Sequence, residues 1–242
     1  MTQIHHKMIL SAKYRARLSS DSTDIDRAVS LRKAAFRTDE RDSIDDRAEQ
    51  LLVEDAETGA LAACLRLLTL EDGTDLSTSY SAGFYDLDPF ADLDGPIVEI
   101  GRFCQSPALR DPAILRVAWT ALARHVLTNG TRMFMGCSSF RGAYPALHGP
   151  ALAALRDRYL LPPARQPGKI AAETFDFASA SLPEPDPRGI PTLLRSYLAI
   201  GGQVSSHAVV DHALGTMHVF TALDIASIPP ARARLLTEAA LA

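Results

Sequence analysis

The chain is short of several things, and each shortage removes a class of protein. Cysteine occurs three times in 242 residues, at Cys64, Cys104 and Cys137, without a Cys-x-x-Cys pair. So sparse and odd a set suits a reducing compartment and excludes a disulfide framework. No apolar run reaches the length of a membrane-crossing helix. The first ten residues, MTQIHHKMIL, lack the apolar core and small-residue cleavage site of a secretory leader. A cytoplasmic protein is expected. There is no Gly-x-Gly-x-x-Gly, no Walker loop and no Gly-x-Ser-x-Gly elbow, which removes dinucleotide, P-loop and α/β-hydrolase readings. His207, His212 and His218 sit together late in the chain without a Glu or Cys cluster, so no metal site is expected. Low-complexity tracts are absent too. The longest irregular piece, the Pro-rich 183–191, is too short to separate domains, and one domain over 1–242 is expected.

What is present is unevenly charged. Residues 1–99 hold eleven basic and twenty acidic side chains, whereas residues 100–170 hold ten basic against two acidic. Residues 171–242 return to an acidic balance of four against seven. A basic middle in an acidic chain suits either a local anionic partner or a face of internal ion pairs.

Periodicity gives the order of elements. Residues 14–18 alternate as a strand, and 22–24 are a cap region before helical spacing from Ile25 to Phe36. The charged stretch 38–47 reads as a loop with a short helix. Residues 51–54 and 61–70 read as a hairpin turning at 55–59. The polar, aromatic-studded 73–94 reads as a long functional loop. A central strand follows at 97–104. Asp111 and Pro112 open a helix that stops at Asn129–Gly130, with Leu115, Trp119, Leu122 and Val126 as its expected buried stripe. A strand at 133–138, a helix at 151–159, an added strand within 170–177, a helix at 190–200, a hairpin of 204–210 with 217–224, and a last helix from 229 complete the chain. Core packing is expected for both late helices rather than a surface role. The mixed order argues for a mixed α/β sheet flanked by helices, not a Rossmann domain.

The chemistry concentrates in the central strand, VEIGRFC at 98–104. An acid and an arginine in an otherwise apolar strand cost several kcal/mol, on the order of 3–5 when unpaired, unless each finds a partner. Simple alternation puts Glu99 and Arg102 on opposite faces, and a β-bulge near Gly101 would bring them to one side and splay the strand. Cys137, Ser138 and Ser139 follow the next strand, and Ser139 or Ser138 is a hydroxyl for a thioester or amine. Neither Cys104 nor Cys137 has an evident histidine to make it a nucleophile.

EIGRFC at 99–104, with DPAILRVAW at 111–119, GCSSFRG at 136–142 and the stretch 191–225, resembles the ornithine lipid N-acyltransferases over about residues 25–235. The Glu-x-x-Arg-Phe core also resembles the acyl-homoserine lactone synthases. The resemblance implies a GNAT-like fold and transfer of a 3-hydroxyacyl group from acyl carrier protein to the α-amine of ornithine. It implies Glu99, Arg102 and Ser139 as catalytic residues, with Glu99 the general base. It also implies Arg32, Phe36, Asp45, Asp46 and Arg66 around the acceptor. No tightly bound cofactor is implied, only the carrier's phosphopantetheine thioester. The loop 105–110 has no glycine to cradle a CoA pyrophosphate at a helix N-terminus, which fits a carrier donor. Arg110, Arg116, Arg124 and Arg132 would then meet the carrier's acidic helix. The family's Asp-x-Phe-Asp-Asp-x-Cys-x-His segment reads DSIDDRAEQ at 42–50 here, which leaves glutamine open as an alternative acceptor. A homoserine lactone synthase, or a non-catalytic module binding acyl carrier protein or membrane, also stays open. An amphiphilic product would bring transient contact with the inner membrane surface.

Overall fold

The computed structural model describes residues 9–10, 13–36, 41–178 and 180–241, so positions 38–40 of the charged stretch lie outside the described residues. In chain order the elements are β1 (Ile9–Leu10), β2 (Tyr14–Ser19), α1 (Ser22–Phe36), β3 (Glu49–Asp55), β4 (Leu61–Leu70), β5 (Tyr85–Asp86), β6 (Ile97–Gln105) and α2 (Pro112–Asn129). There follow β7 (Met133–Arg141), α3 (Gly149–Arg158), β8 (Gly168–Lys169), β9 (Thr174–Asp176), α4 (Thr192–Ala199), β10 (Gln203–Asp211), β11 (Thr216–Asp224) and α5 (Pro230–Leu241). The chain divides into two compact units.

The first unit comprises Met1–Thr69, Ile100–Thr131 and Ala231–Ala242. Its strands run in the order β1, β2, β3, β4 and then the second half of β6. Leu51, Leu52 and Val53 are all fully buried. Successive strand residues point to opposite faces, so both faces of β3 are covered. On one face Leu52, Cys64 and Cys104 form an apolar row against Ala28 of α1. The helix α2 runs against β1, β2 and β3. Its cap is as expected: Asp111 accepts from the Ala113 N–H at 2.9 Å, and Gly130 closes it at φ 63°. Its buried stripe is not. Ile114, Val117, Ala118, Ala121, Leu122 and His125 face inward, whereas Leu115, Trp119 and Val126 are half-buried. The stripe is turned by one residue because the small Ala118 and Ala121 let the helix lie close to the strands. The cap of α1 is Asp21, whose carboxylate takes the Thr23 N–H at 2.8 Å, one residue before the expected region.

The second unit comprises Leu70–Glu99 and Arg132–Pro230. The first three residues of β6 pair in parallel with Met133, Phe134 and Met135 of β7. Strand β7 pairs antiparallel with β11 over nine residues, and β10 and β9 follow. This long ladder carries Cys137, Ser138 and Ser139 inside β7, which runs on to Arg141, past the expected end at 138. The added strand is shorter than 170–177, since only Thr174–Asp176 pairs with β10. The helices α3 and α4 bury Leu152, Leu155, Leu194 and Leu198 against Phe140, Met217 and Val219. The loop 73–94 is not structureless: it holds three 3-10 turns and β5, which pairs with β8. Core packing holds for α4. In contrast, α5 buries Ala240 and leaves Leu235 and Leu241 exposed.

Candidate active site

In the first unit a polar row lies next to the apolar one. Gln50 and Arg66 are directly paired across β3 and β4. Arg102 stands on β6 with a left-handed φ of 55°, an uncommon conformation for a residue with a side chain. The helix α1 contributes Arg32, and the turn after it contributes Asp42 and Asp45. The bonds converge on Asp45: Arg32 donates to both its oxygens at 2.7 Å, and Gln50 and Arg66 reach Oδ1 at 3.3 and 3.2 Å. Asp42 accepts from Arg66 at 2.6 Å and from Arg102 at 3.3 Å. Arg32 and Asp45 have no exposed surface. Burial opposes the charge on Asp45, but the Arg32 and Arg66 guanidiniums and the Asp42 N–H outweigh it and hold the carboxyl well below the usual range. Asp42 is lowered in the same way, burial again opposing, with Arg66 the main counterweight.

Not every expected acceptor residue joins this cluster. Asp46 is turned to the surface, where it pairs with Arg41 at 2.5 Å, and Phe36 is exposed. Conversely Asp42 and Gln50 belong to it. Asp42 was legible as a retained acid of the segment. Gln50, a departure from the family pattern, still donates to Asp45.

In the second unit Glu99 is 4% exposed, and its carboxylate holds the interior of the long loop at Tyr80 and Ser81. Its Oε2 accepts from the Tyr80 N–H at 2.8 Å, and Oε1 from the Ser81 N–H and hydroxyl at 2.7 and 2.6 Å. The Ser81 hydroxyl also lies 3.5 Å from Cys137 Sγ. Ser139 is exposed on β7, directly opposite His218 of β11.

The four arginines expected to face a carrier divide. Arg110 and Arg116 are exposed. Arg124 is committed to the Ala240 carbonyl, donating from Nε at 2.8 Å and Nη2 at 2.6 Å, and so ties α2 to α5. Arg132 is ion-paired with Asp224. Both are corrections to the expected set, because these guanidiniums satisfy groups of the chain itself. Near Arg110 the start of α2 is filled as well. Asp111 caps it and is held by Lys13 Nζ at 2.9 Å and the Tyr14 hydroxyl at 3.3 Å.

Residues 26–120 match the family described as an acetyltransferase (GNAT) domain. An L-ornithine N(alpha)-acyltransferase of Rhodobacter capsulatus is 27% identical over 238 residues, covering 87% of this chain and 90% of that one. One of Brucella abortus is 28% identical over 204 residues, covering 77% and 70%. The chain is thus similar to L-ornithine N(alpha)-acyltransferases over most of its length. It is therefore an acyltransferase of GNAT fold. Among solved structures, FeeM, an N-acyl amino acid synthase from uncultured soil microbes, aligns at a TM-score of 0.46 with 10% identity, covering 94% of this chain and 97% of that one.

One further group in the second unit was not foreseen as a site. His207 and His218 are buried, and burial holds both imidazoles neutral, with pKa values of about 4 against an ordinary 6.5. The nearby Lys169 adds to the effect on His207. Their surroundings come from residues far apart in sequence, Tyr85 and β10 with β11, so no local spacing signals them.

Two outcomes follow. Asp45→Asn removes one side of a buried pair and should cost about 3–5 kcal/mol in urea unfolding. Asp46→Asn, on the surface, should stay within about 0.5 kcal/mol. Equal effects would show that Asp45 is not a hub. The histidines set a pH dependence with a definite sign. Below about 6.5 the unfolded chain takes up protons that the folded chain refuses, so their contribution is present near neutrality and is lost as pH falls toward 4. Between pH 7 and pH 5 the loss should be about 2 kcal/mol per histidine, a window in which ordinary carboxylates stay charged in both states. Urea midpoints of wild type and His207→Leu at the two pH values check this, and an equal pH slope in the two proteins would contradict it.

Proposed function

We propose that the chain transfers a 3-hydroxyacyl group from acyl carrier protein to the α-amine of ornithine, giving a lyso-lipid, as the relatives' name suggests for the acceptor. The observation that carries the donor assignment is the filled N-terminus of α2. Free amides at such a helix end bind phosphate groups. Here the Asp111 carboxylate takes the Ala113 N–H and carries its own negative charge, held in place by Lys13. A CoA pyrophosphate would meet that charge, whereas a carrier protein presents its pantetheine on a single phosphate. The exposed Arg110 and Arg116 suit the carrier's acidic surface.

The acceptor amino acid is itself charged. The ionic cluster brings Arg32, Arg66 and Arg102 together with Asp42 and Asp45. Of these, Arg102 is the least buried in the first unit's cluster apart from Asp42. It is assigned to the substrate carboxylate, with Asp42 holding the guanidinium.

In the reaction the amine nitrogen attacks the thioester carbonyl, the C–N bond forms, the C–S bond breaks, and a second proton passes from the nitrogen to the pantetheine sulfur, which leaves as the thiol. The ammonium must first lose a proton. A carboxylate has about four acceptor sites. Glu99 uses three on Tyr80 and Ser81, and the fourth takes the proton directly or through water. The Ser139 hydroxyl is assigned to hydrogen bonding at the reacting thioester. The enzyme works in the cytoplasm and touches the inner membrane as its amphiphilic product leaves, a contact that the exposed Leu235 and Leu241 of α5 favour.

Mass spectrometry of products from an amino-acid panel, glutamine included, with a long-chain 3-hydroxyacyl carrier donor tests the acceptor. Glu99→Gln should lower kcat by on the order of 10²-fold or more. Wild-type turnover in that variant would remove Glu99 from proton transfer.

A further inference from the structure

Three ring nitrogens of the second unit are buried without a hydrogen bond: Nδ1 and Nε2 of His207 and Nε2 of His218. His207 has no exposed surface and His218 has 2%. Both rings flank Tyr85, at centroid distances of 5.2 and 5.6 Å. Phe84 stands edge-on to His218 at 4.9 Å, and Phe220 lies 5.7 Å from Tyr85. The Tyr85 hydroxyl donates to the His218 carbonyl at 2.9 Å and lies 3.2 Å from His218 Nδ1. A phenol has one proton. With that proton on the carbonyl, the phenol oxygen accepts from Nδ1–H, and Nε2 of His218 is a bare lone pair. A neutral His207 offers one N–H and one lone pair.

Buried polar atoms are almost always matched, so three unmatched ones in a single cluster mark a place made for a missing partner. Its chemistry is constrained. It must donate to one ring and accept from the other. It must be uncharged, because neutral imidazoles do not balance a carboxylate, phosphate or ammonium. It must be apolar elsewhere, because the remaining walls are aromatic. A hydroxyl on an otherwise apolar chain meets all three conditions.

We infer that His207 and His218 form the subsite that reads a hydroxyl on the acyl chain, His218 Nε2 accepting its proton and His207 donating to its oxygen. The inference rests on the reading of the chain as an acyltransferase with a hydroxyacyl donor. The subsite is placed for that donor. His218 is directly opposite Ser139, and Phe220 directly opposite Cys137, which meets the Ser81 hydroxyl bonded to Glu99. A subsite built to hydrogen-bond a hydroxyl rejects the chain that lacks it, because the imidazoles are then left unmatched again.

Calorimetric titration with two neutral probes tests this without turnover: the N-acetylcysteamine thioesters of 3-hydroxydecanoic and decanoic acid. Wild type should bind the hydroxylated probe at least tenfold more tightly. His218→Phe and His207→Phe should each bring the ratio to within twofold. Should these variants not fold, Tyr85→Phe, which releases the His218 ring, should lower the ratio at least threefold. A wild-type ratio near one, no binding of either probe, or an unchanged ratio in the folded variants would overturn the inference. Acylation of an amino acid by carrier-linked hydroxylated and plain chains at equal rates would also overturn it and leave the proposed function standing. Absence of transfer from every donor, with the binding ratio intact, would instead sink the proposed function.

Discussion

Asp45 is buried in the first unit among two guanidiniums, a side-chain amide and a backbone N–H. Its position fixes the turn after α1, because the Asp42 N–H bonds to its Oδ2 at 3.0 Å. Through Asp42 it fixes Arg66 and Arg102, and so the polar row across β3, β4 and β6. A charge so deep is tolerable only when its partners are complete, since an unpaired one costs several kcal/mol, about 3–5. The cluster therefore constrains five elements or turns at once, and each guanidinium is held before any substrate arrives. If the proposed acceptor site is right, binding energy that would be spent on ordering these side chains is available for holding the substrate.

Glu99 plays a comparable part in the second unit. It anchors the loop 73–94 by two backbone amides and a hydroxyl, and the loop then carries Phe84, Tyr85 and Phe90 onto the β7–β11 face. In both units an irregular segment that carries site residues is secured by a buried carboxylate rather than by a regular ladder. Among the described residues, five of the ten basic residues in 100–170 pair with acids of the chain: Arg102, Arg132, Arg156, Arg165 and Lys169. The basic middle is thus both of the things its composition allowed, an internal set of pairs and an exposed remainder at Arg110, Arg116, Arg141 and Arg158.

Much of this was legible in the sequence where the signal is local. The caps of α2 follow from Asp-Pro at its start and Asn-Gly at its end, and the hairpin of β10 and β11 from the apolar runs 204–210 and 217–224. The family motif drew attention to Arg32, Asp45 and Arg66, and the structure brings those three together. What sequence could not supply depends on contacts between distant segments. The stripe of α2 is set by what it packs on, so its rotation escaped a reading based on large residues alone. Arg124 looked like a surface cation until the Ala240 carbonyl was found within its reach. The buried histidines needed β5 and two later strands to become a cluster, and isolated histidines in a strand carry no such message.

The proposal that the acyl group arrives without a CoA pyrophosphate rests on the filled end of α2. The most direct measurement is kcat/KM for one 3-hydroxyacyl chain presented on acyl carrier protein and, separately, as its CoA thioester, with ornithine as acceptor. A value at least 100-fold higher for the carrier donor is expected. An equal or higher value for the CoA thioester would contradict the assignment of Asp111 as the group that displaces the pyrophosphate.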